Sequence, residues 1–240
     1  MLSSRPGAIT LNNTTRSGLL IFFFLSIIQL YAVAAGNEFL RFASKPLLMP
    51  LLAITVHLGS KLAAKSYIIT GLCFAFLGDT FLLLESKHTL LFILGLVAFL
   101  ITHVCYILYF LRIRSASRST LRARPYILLL VIAYGAGLVS LLYPTLGSLR
   151  LPVIIYAITI CTMLAASIET SRGAGDSRGL MYISGAILFV ISDSLLAVNK
   201  FYEPFRMASF FIMLTYCAAQ FFIVYGFLIQ RRGYEGSNHN

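Results

Sequence analysis

Residues 89–111 read TLLFILGLVAFLITHVCYILYFL, a run without Lys, Arg, Asp or Glu. At about 1.5 Å per residue, a helix of this length crosses the ~30 Å hydrocarbon core of a bilayer. Seven further apolar segments surround it, at 18–35, 46–59, 66–84, 125–143, 150–169, 179–199 and 206–230. Most have spanning length. The second is short, and Pro46 reads as its first helical position, with Lys45 just ahead to snorkel toward the interface. The predicted fold is all-α: a polytopic bundle of about eight transmembrane helices in one domain over 18–230. Tails of 1–17 and 231–240 flank it. Composition agrees, with 59% hydrophobic and 11% charged residues and a mean hydropathy of +0.87. A disordered chain would be apolar-poor, and a soluble domain carries roughly 25% charged residues.

The 19 Lys and Arg against 8 Asp and Glu give a net charge of +11. A basic balance can signal nucleic acid, but no such motif accompanies it. The charge sits in short gaps between apolar runs, where it sets orientation. Thirteen of the basic residues fall on the side holding both termini, and six on the other. The positive-inside rule makes both termini cytoplasmic. The split is the same whether or not the second segment crosses, so the count before the third segment stays open. The gap at 112–124, RIRSASRSTLRAR, is a basic cytoplasmic loop suited to anionic lipid headgroups. Cys73, Cys105, Cys161 and Cys217 each lie inside an apolar run and form no CxxC pair, which speaks against a disulfide framework or a zinc site. The first run, with Arg5 and Arg16 ahead of it, reads as a retained anchor helix rather than a cleaved signal.

Two acids stand inside the apolar segments. GLCFAFLGDTFLL, ending its polar part at Asp79, echoes GAILFVISDSLLA around Asp193 at an offset of 114. A weaker echo joins Leu100-Ile-Thr102-His103 to Met213-Leu-Thr215-Tyr216 at 113. Two parallel four-helix repeats explain both. An ionisable group at depth costs about 2.5–3.5 kcal/mol on insertion scales, so a duplicated acid points to function. Each acid lies near the outer end of its helix, on the order of 7–9 Å below it, and the matched depth predicts one shared cavity. The alternative is a structural use, with hydrogen bonds to neighbouring helices or a pair with Lys45. His103 and Tyr106 share a face of the fourth segment, and Tyr216 and Gln220 a face of the eighth. Motifs for nucleotide hydrolysis, zinc proteolysis and serine hydrolysis are absent from the sequence.

Taken together, Lys45-Pro46, GLCFAFLGD to Asp79, His103-Val-Cys-Tyr106, ILFVISDSLLAVNKF over 187–201 and Tyr216-Cys-Ala-Ala-Gln220 resemble the YhhN-like lysoplasmalogenases. This family of eight-helix membrane proteins includes animal alkenyl-glycerophospholipid hydrolases. The matching pieces run in family order from about residue 45 to 225. Ala75 and Cys217 depart from the family's frequent Ser and Tyr. The resemblance implies a membrane hydrolase that cleaves the vinyl ether bond of lysoplasmalogens, without cofactor or metal. The products would be a fatty aldehyde and a glycerophospho-base. It implies a multi-pass location in a bacterial inner membrane or endoplasmic reticulum, with lysophospholipid as partner.

A vinyl ether is cleaved by protonating its β-carbon and trapping the oxocarbenium ion with water. That needs a proton donor, a negative group and a base, which two carboxylates supply as they do in glycoside hydrolysis. On this reading Asp79 and Asp193 are the acid/base pair, and His103 tunes or shuttles a proton. Tyr106, Tyr216 and Gln220 orient water and the glycerol oxygens, with Ser192 and Asn199 beside them. Lys45 meets the phosphate. Asn at either acid is expected to remove activity and leave the fold intact. A small proton-coupled transporter using the same aspartates is the rival reading.

Overall fold

The computed structural model describes residues 11–85, 89–114, 120–174 and 177–229. Arg5, Lys87, His88, Arg118, Arg231 and Arg232 of the charge pattern lie outside them. The regular structure among the described residues is entirely helical: α1 (Asn13–Ala34), α2 (Glu38–Gly59), α3 (Lys65–Leu83), α4 (Thr89–Ile113), the short α5 (Thr120–Ala123), α6 (Pro125–Leu142), α7 (Arg150–Ala174), α8 (Ser177–Ala197) and α9 (Ala208–Leu228). Two single 3₁₀ turns join α6 to α7, and α8 runs on as a π turn, Val198–Tyr202. Eight of these helices are long and apolar enough to cross a membrane, so the chain is an integral, multi-pass membrane protein. Their outward faces carry Leu, Ile and Phe, as in Phe23, Phe24, Leu129 and Leu130, the side chains that hydrocarbon solvates.

The start of α2 corrects the sequence reading. The helix begins at Glu38, capped by the Asn37 side chain accepting from the Leu40 amide at 3.0 Å. At 22 residues it is long enough to span, and Pro46 and Pro50 lie inside it. Each proline removes one backbone hydrogen bond, a loss that membrane helices absorb through neighbouring groups. The charged stretch that hid this helix is pinned to it by an Arg41–Glu38 ion pair at 3.0 Å, one turn apart. Lys45 consequently sits two turns into the helix rather than ahead of it.

Seven helices close into a ring: α1, α2, α3, α4, α7, α8 and α9 each pack on the next, and α9 returns to α1. Small residues set the closest approaches. A Cβ on Gly71 would lie 2.7 Å from the Tyr106 ring, and one on Gly185 only 2.7 Å from Ile223 and 3.0 Å from the Ala219 carbonyl. The two glycines of the sequence echo thus seat α3 on α4 and α8 on α9 in the same way. The main core joins the interior faces of all seven ring helices, with Leu48, Leu72, Tyr106, Met163, Phe189 and Phe227 at its centre. Helix α6 stands outside the ring, packed chiefly on α7. Its end forms a second, smaller core of Leu142, Leu146 and Val153 with Phe201 beside it.

Candidate active site

The apolar interior of the ring holds two polar clusters. In the first, Lys45 Nζ from α2 lies 3.4 Å from Asp79 Oδ1 of α3. The Tyr216 hydroxyl of α9 donates to Asp79 Oδ2 at 2.8 Å. One turn further along α9, Gln220 Oε1 accepts from the Tyr106 hydroxyl of α4 at 2.6 Å. Asp79 is buried, and Lys45 nearly so. A carboxylate and an ammonium at this depth are tolerable because each neutralises the other. The structural alternative for Asp79, a pair with Lys45, is what the fold contains.

In the second cluster, Asp193 Oδ2 of α8 lies 3.0 Å from His103 Nε2 of α4 and accepts from the Tyr156 hydroxyl of α7. The Tyr156 oxygen is also 3.0 Å from His103 Nε2. His103 Nδ1 is buried without a partner among the described residues. An orphaned lone pair costs less than an orphaned N–H, so the neutral ring carries its proton on Nε2 and donates it toward the carboxylate.

The clusters have one plan. Each acid takes one partner from the preceding helix of the ring, Lys45 for Asp79 and Tyr156 for Asp193. Each takes a second partner from the other half of the chain, Tyr216 of α9 and His103 of α4. The sequence echo that matches His103 with Tyr216 is therefore a contact rule: equivalent residues serve each other's acids crosswise. Phe189 separates the clusters. Its ring packs edge-on to His103 at 4.6 Å between centroids and to Tyr216 at 5.6 Å.

Asp193 borders open space. A narrow cavity of about 40 Å³ is lined by Asp193 and Tyr156 and otherwise by apolar side chains, among them Leu96, Phe99, Leu196 and Phe201. Asp79 is not among its lining residues, so of the two acids it is Asp193 that borders this cavity. A water needs about 10–15 Å³, so the space admits water beside the carboxylate. His103 is fully buried behind the wall.

Other residues singled out by sequence are engaged elsewhere. Ser192 is buried and donates to the Ile212 carbonyl at 3.1 Å, tying α8 to α9. Asn199 accepts from the Phe205 amide at 3.3 Å and shapes the loop after the π turn. Tyr156 escaped the sequence reading. It stands in VIIYAITIC, a run with no charged residue to flag it. The usable signal is its position one helix before the repeated acid, as Lys45 is before the first. No group of three or more metal-binding side chains converges among the described residues.

Fold and site together define a polytopic helical membrane protein with a duplicated, cross-braced pair of intramembrane acids, one of them open to an apolar cavity. The YhhN family model matches residues 40–227, and the chain belongs to that family. A Mycobacterium tuberculosis protein named lysoplasmalogenase is 29% identical over 196 residues, covering 79% of this chain and 69% of the relative. Human lysoplasmalogenase TMEM86A is 35% identical over 161 residues, covering 65% and 62%. Human lysoplasmalogenase TMEM86B is 33% identical over 133 residues, covering 55% and 52%. No solved structure matches the chain.

Proposed function

We propose that this protein hydrolyses the vinyl ether bond of lysoplasmalogens, with Asp193 as the group that exchanges protons with the substrate. The carrying observation is the acid at the end of an apolar cavity, braced on one oxygen by Tyr156 and His103. The relatives' names give the substrate class. The apolar walls match an alkenyl chain in character, and the enol ether is placed at the carboxyl. The C=C π pair takes the acid's proton at the β-carbon, and a lone pair of the ether oxygen forms the C=O+ bond of an oxocarbenium ion. The resulting carboxylate stabilises that cation and takes a proton from water as its oxygen bonds to the cationic carbon. The hemiacetal hydroxyl then forms the aldehyde C=O as the bond to the glycerol oxygen breaks, and its proton passes to that oxygen, which leaves as the alcohol. One water is consumed, and the acid is restored.

Tyr156 and His103 hold Oδ2, so the other oxygen of Asp193 is left to carry the proton. Asp79 is a positioning residue on this reading. It anchors Tyr216, whose ring packs against Phe189 and Phe99 at the cavity wall, and it balances Lys45. Tyr106 and Gln220 pair with each other one turn along from Tyr216. Orientation follows the charge split: both termini cytoplasmic, and the Asp193 cavity nearer the opposite surface.

The test is aldehyde release from a lysoplasmalogen by detergent-purified protein, wild type beside Asp193→Asn. Wild type is expected to turn over, and the variant to lose at least about a hundredfold, the scale of general acid–base catalysis. Full activity in Asp193→Asn would sink the mechanism. Inactive wild type that moves solute across sealed vesicles would favour the transporter reading.

A further inference from the structure

The phosphate of a lysophospholipid needs a cation, and Lys45 is not available to supply it. Its ammonium is committed to Asp79, away from the Asp193 cavity. Another lysine stands against a wall residue of that cavity. Lys200 belongs to the π turn that prolongs α8. Its Nζ lies 4.8 Å from the centroid of Phe92, a wall of the cavity. Phe92 packs edge-on against Phe201, a second wall residue, at 5.6 Å. The ammonium thus lies over one of two paired aromatic rings that line the cavity. Its charge partner is Glu85, at the end of the chain leaving α3, with Nζ to Oε2 at 3.2 Å. Both side chains are about a third exposed, 39% and 32%, so an incoming anion can reach the pair.

Spacing agrees with a phosphate ligand. Lys200 follows Asp193 by seven residues, so it lies about 10 Å further along the helix axis. In an extended lysophospholipid the vinyl ether carbon and the phosphorus are about 7 Å apart by bond geometry. One hydrogen-bonded contact adds about 3 Å. A π turn inside an α-helix shifts the facing of later side chains and is frequent at functional sites.

We propose that Lys200 is the phosphate-recognition residue of the Asp193 cavity and that Glu85 occupies it until the substrate's phosphate takes its place. The proposal rests on the lysophospholipid reading above. It deepens that reading by assigning the headgroup end of the site.

The test measures binding of a short-chain, non-hydrolysable 1-alkyl-glycerophosphoethanolamine to the purified full chain, with the matching 1-alkylglycerol as the phosphate-free comparison. Lys200→Gln is expected to weaken the phosphorylated ligand about tenfold, the scale of one charge-assisted hydrogen bond, and to leave alkylglycerol unchanged. Glu85→Gln breaks the same ion pair yet is expected to bind the phosphorylated ligand as well as wild type, or up to about threefold tighter. Lys200→Gln binding like wild type overturns the proposal. So does Glu85→Gln weakening the phosphorylated ligand as much as Lys200→Gln, because the pair is then only a structural brace. A wild-type protein that binds neither ligand, or both equally, overturns it as well. No turnover is read, so aldehyde release stays an independent measurement. Release without Lys200 dependence refutes this assignment alone, and Lys200-dependent binding without release refutes the hydrolysis alone.

Discussion

Asp79→Asn is expected to destabilise the protein, which the sequence by itself does not suggest. The substitution keeps the shape and leaves the Tyr216 hydroxyl an amide oxygen to bond. What it removes is the counter-charge of Lys45, whose side chain is 13% exposed against 3% for Asp79. Breaking a buried ion pair by deleting one partner costs about 3–5 kcal/mol. For a chain of this size that is about 6–20 °C in Tm. Lys45→Met strands the carboxylate instead and should cost a similar amount. The double variant Lys45→Met/Asp79→Asn strands neither, and it should lie within about 1 kcal/mol of wild type, since apolar replacement of a whole buried pair is often neutral. The chain has no tryptophan, so unfolding in detergent is followed with a thiol-reactive dye, which gains the buried Cys105 and Cys217 as reporters. The reasoning fails if Asp79→Asn melts within a degree or two of wild type, or if the double variant is as unstable as the singles.

Tyr156→Phe removes one of the two braces on Asp193 without emptying the cavity wall. kcat for aldehyde release should fall about 10- to 100-fold with KM little changed, matching the loss of one hydrogen bond to a charged group; an unchanged kcat would return Tyr156 to simple packing. Gly185→Ala places a methyl group against Ile223 and the Ala219 carbonyl, and it should cost about 1–3 kcal/mol by overpacking. Gly137→Ala on the outlying α6 meets nothing within 4 Å and should be neutral or stabilising by up to about 1 kcal/mol. The two melting temperatures, measured side by side, check whether the repeated glycine sets the α8–α9 approach.

The membrane bundle could be read from the chain because apolar runs of spanning length have few other solutions. The acids could be read because ionisable groups are rare inside such runs. The start of α2 was hidden because Glu38, Arg41 and Lys45 break the apolar pattern, although an Asn cap and an ion pair one turn apart make those residues helical. That shift moved Lys45 from the interface to Asp79. His103, Tyr106, Tyr216 and Gln220 all point inward as helical spacing required, but that His103 serves Asp193 and Tyr216 serves Asp79 depends on how the halves cross. Tyr156 and Lys200 were not singled out because a lone tyrosine and a loop-end lysine acquire meaning only from what the fold puts beside them. Ser192 shares a face with the site and is nevertheless spent on a helix–helix bond.

The crosswise bracing also bears on how the protein is made. Helices emerge in order, so α2 and α3 enter the membrane with Lys45 already able to neutralise Asp79. Tyr216, which completes that cluster, arrives only with the last helix. His103 must wait through the insertion of α6 and α7 before α8 brings Asp193 to it. Neither half can therefore assemble a finished acid cluster alone, and the ring is locked only when α9 meets α1. A chain truncated before α9 would hold every residue that lines the Asp193 cavity, yet it would lack the strut that fixes the opposite wall.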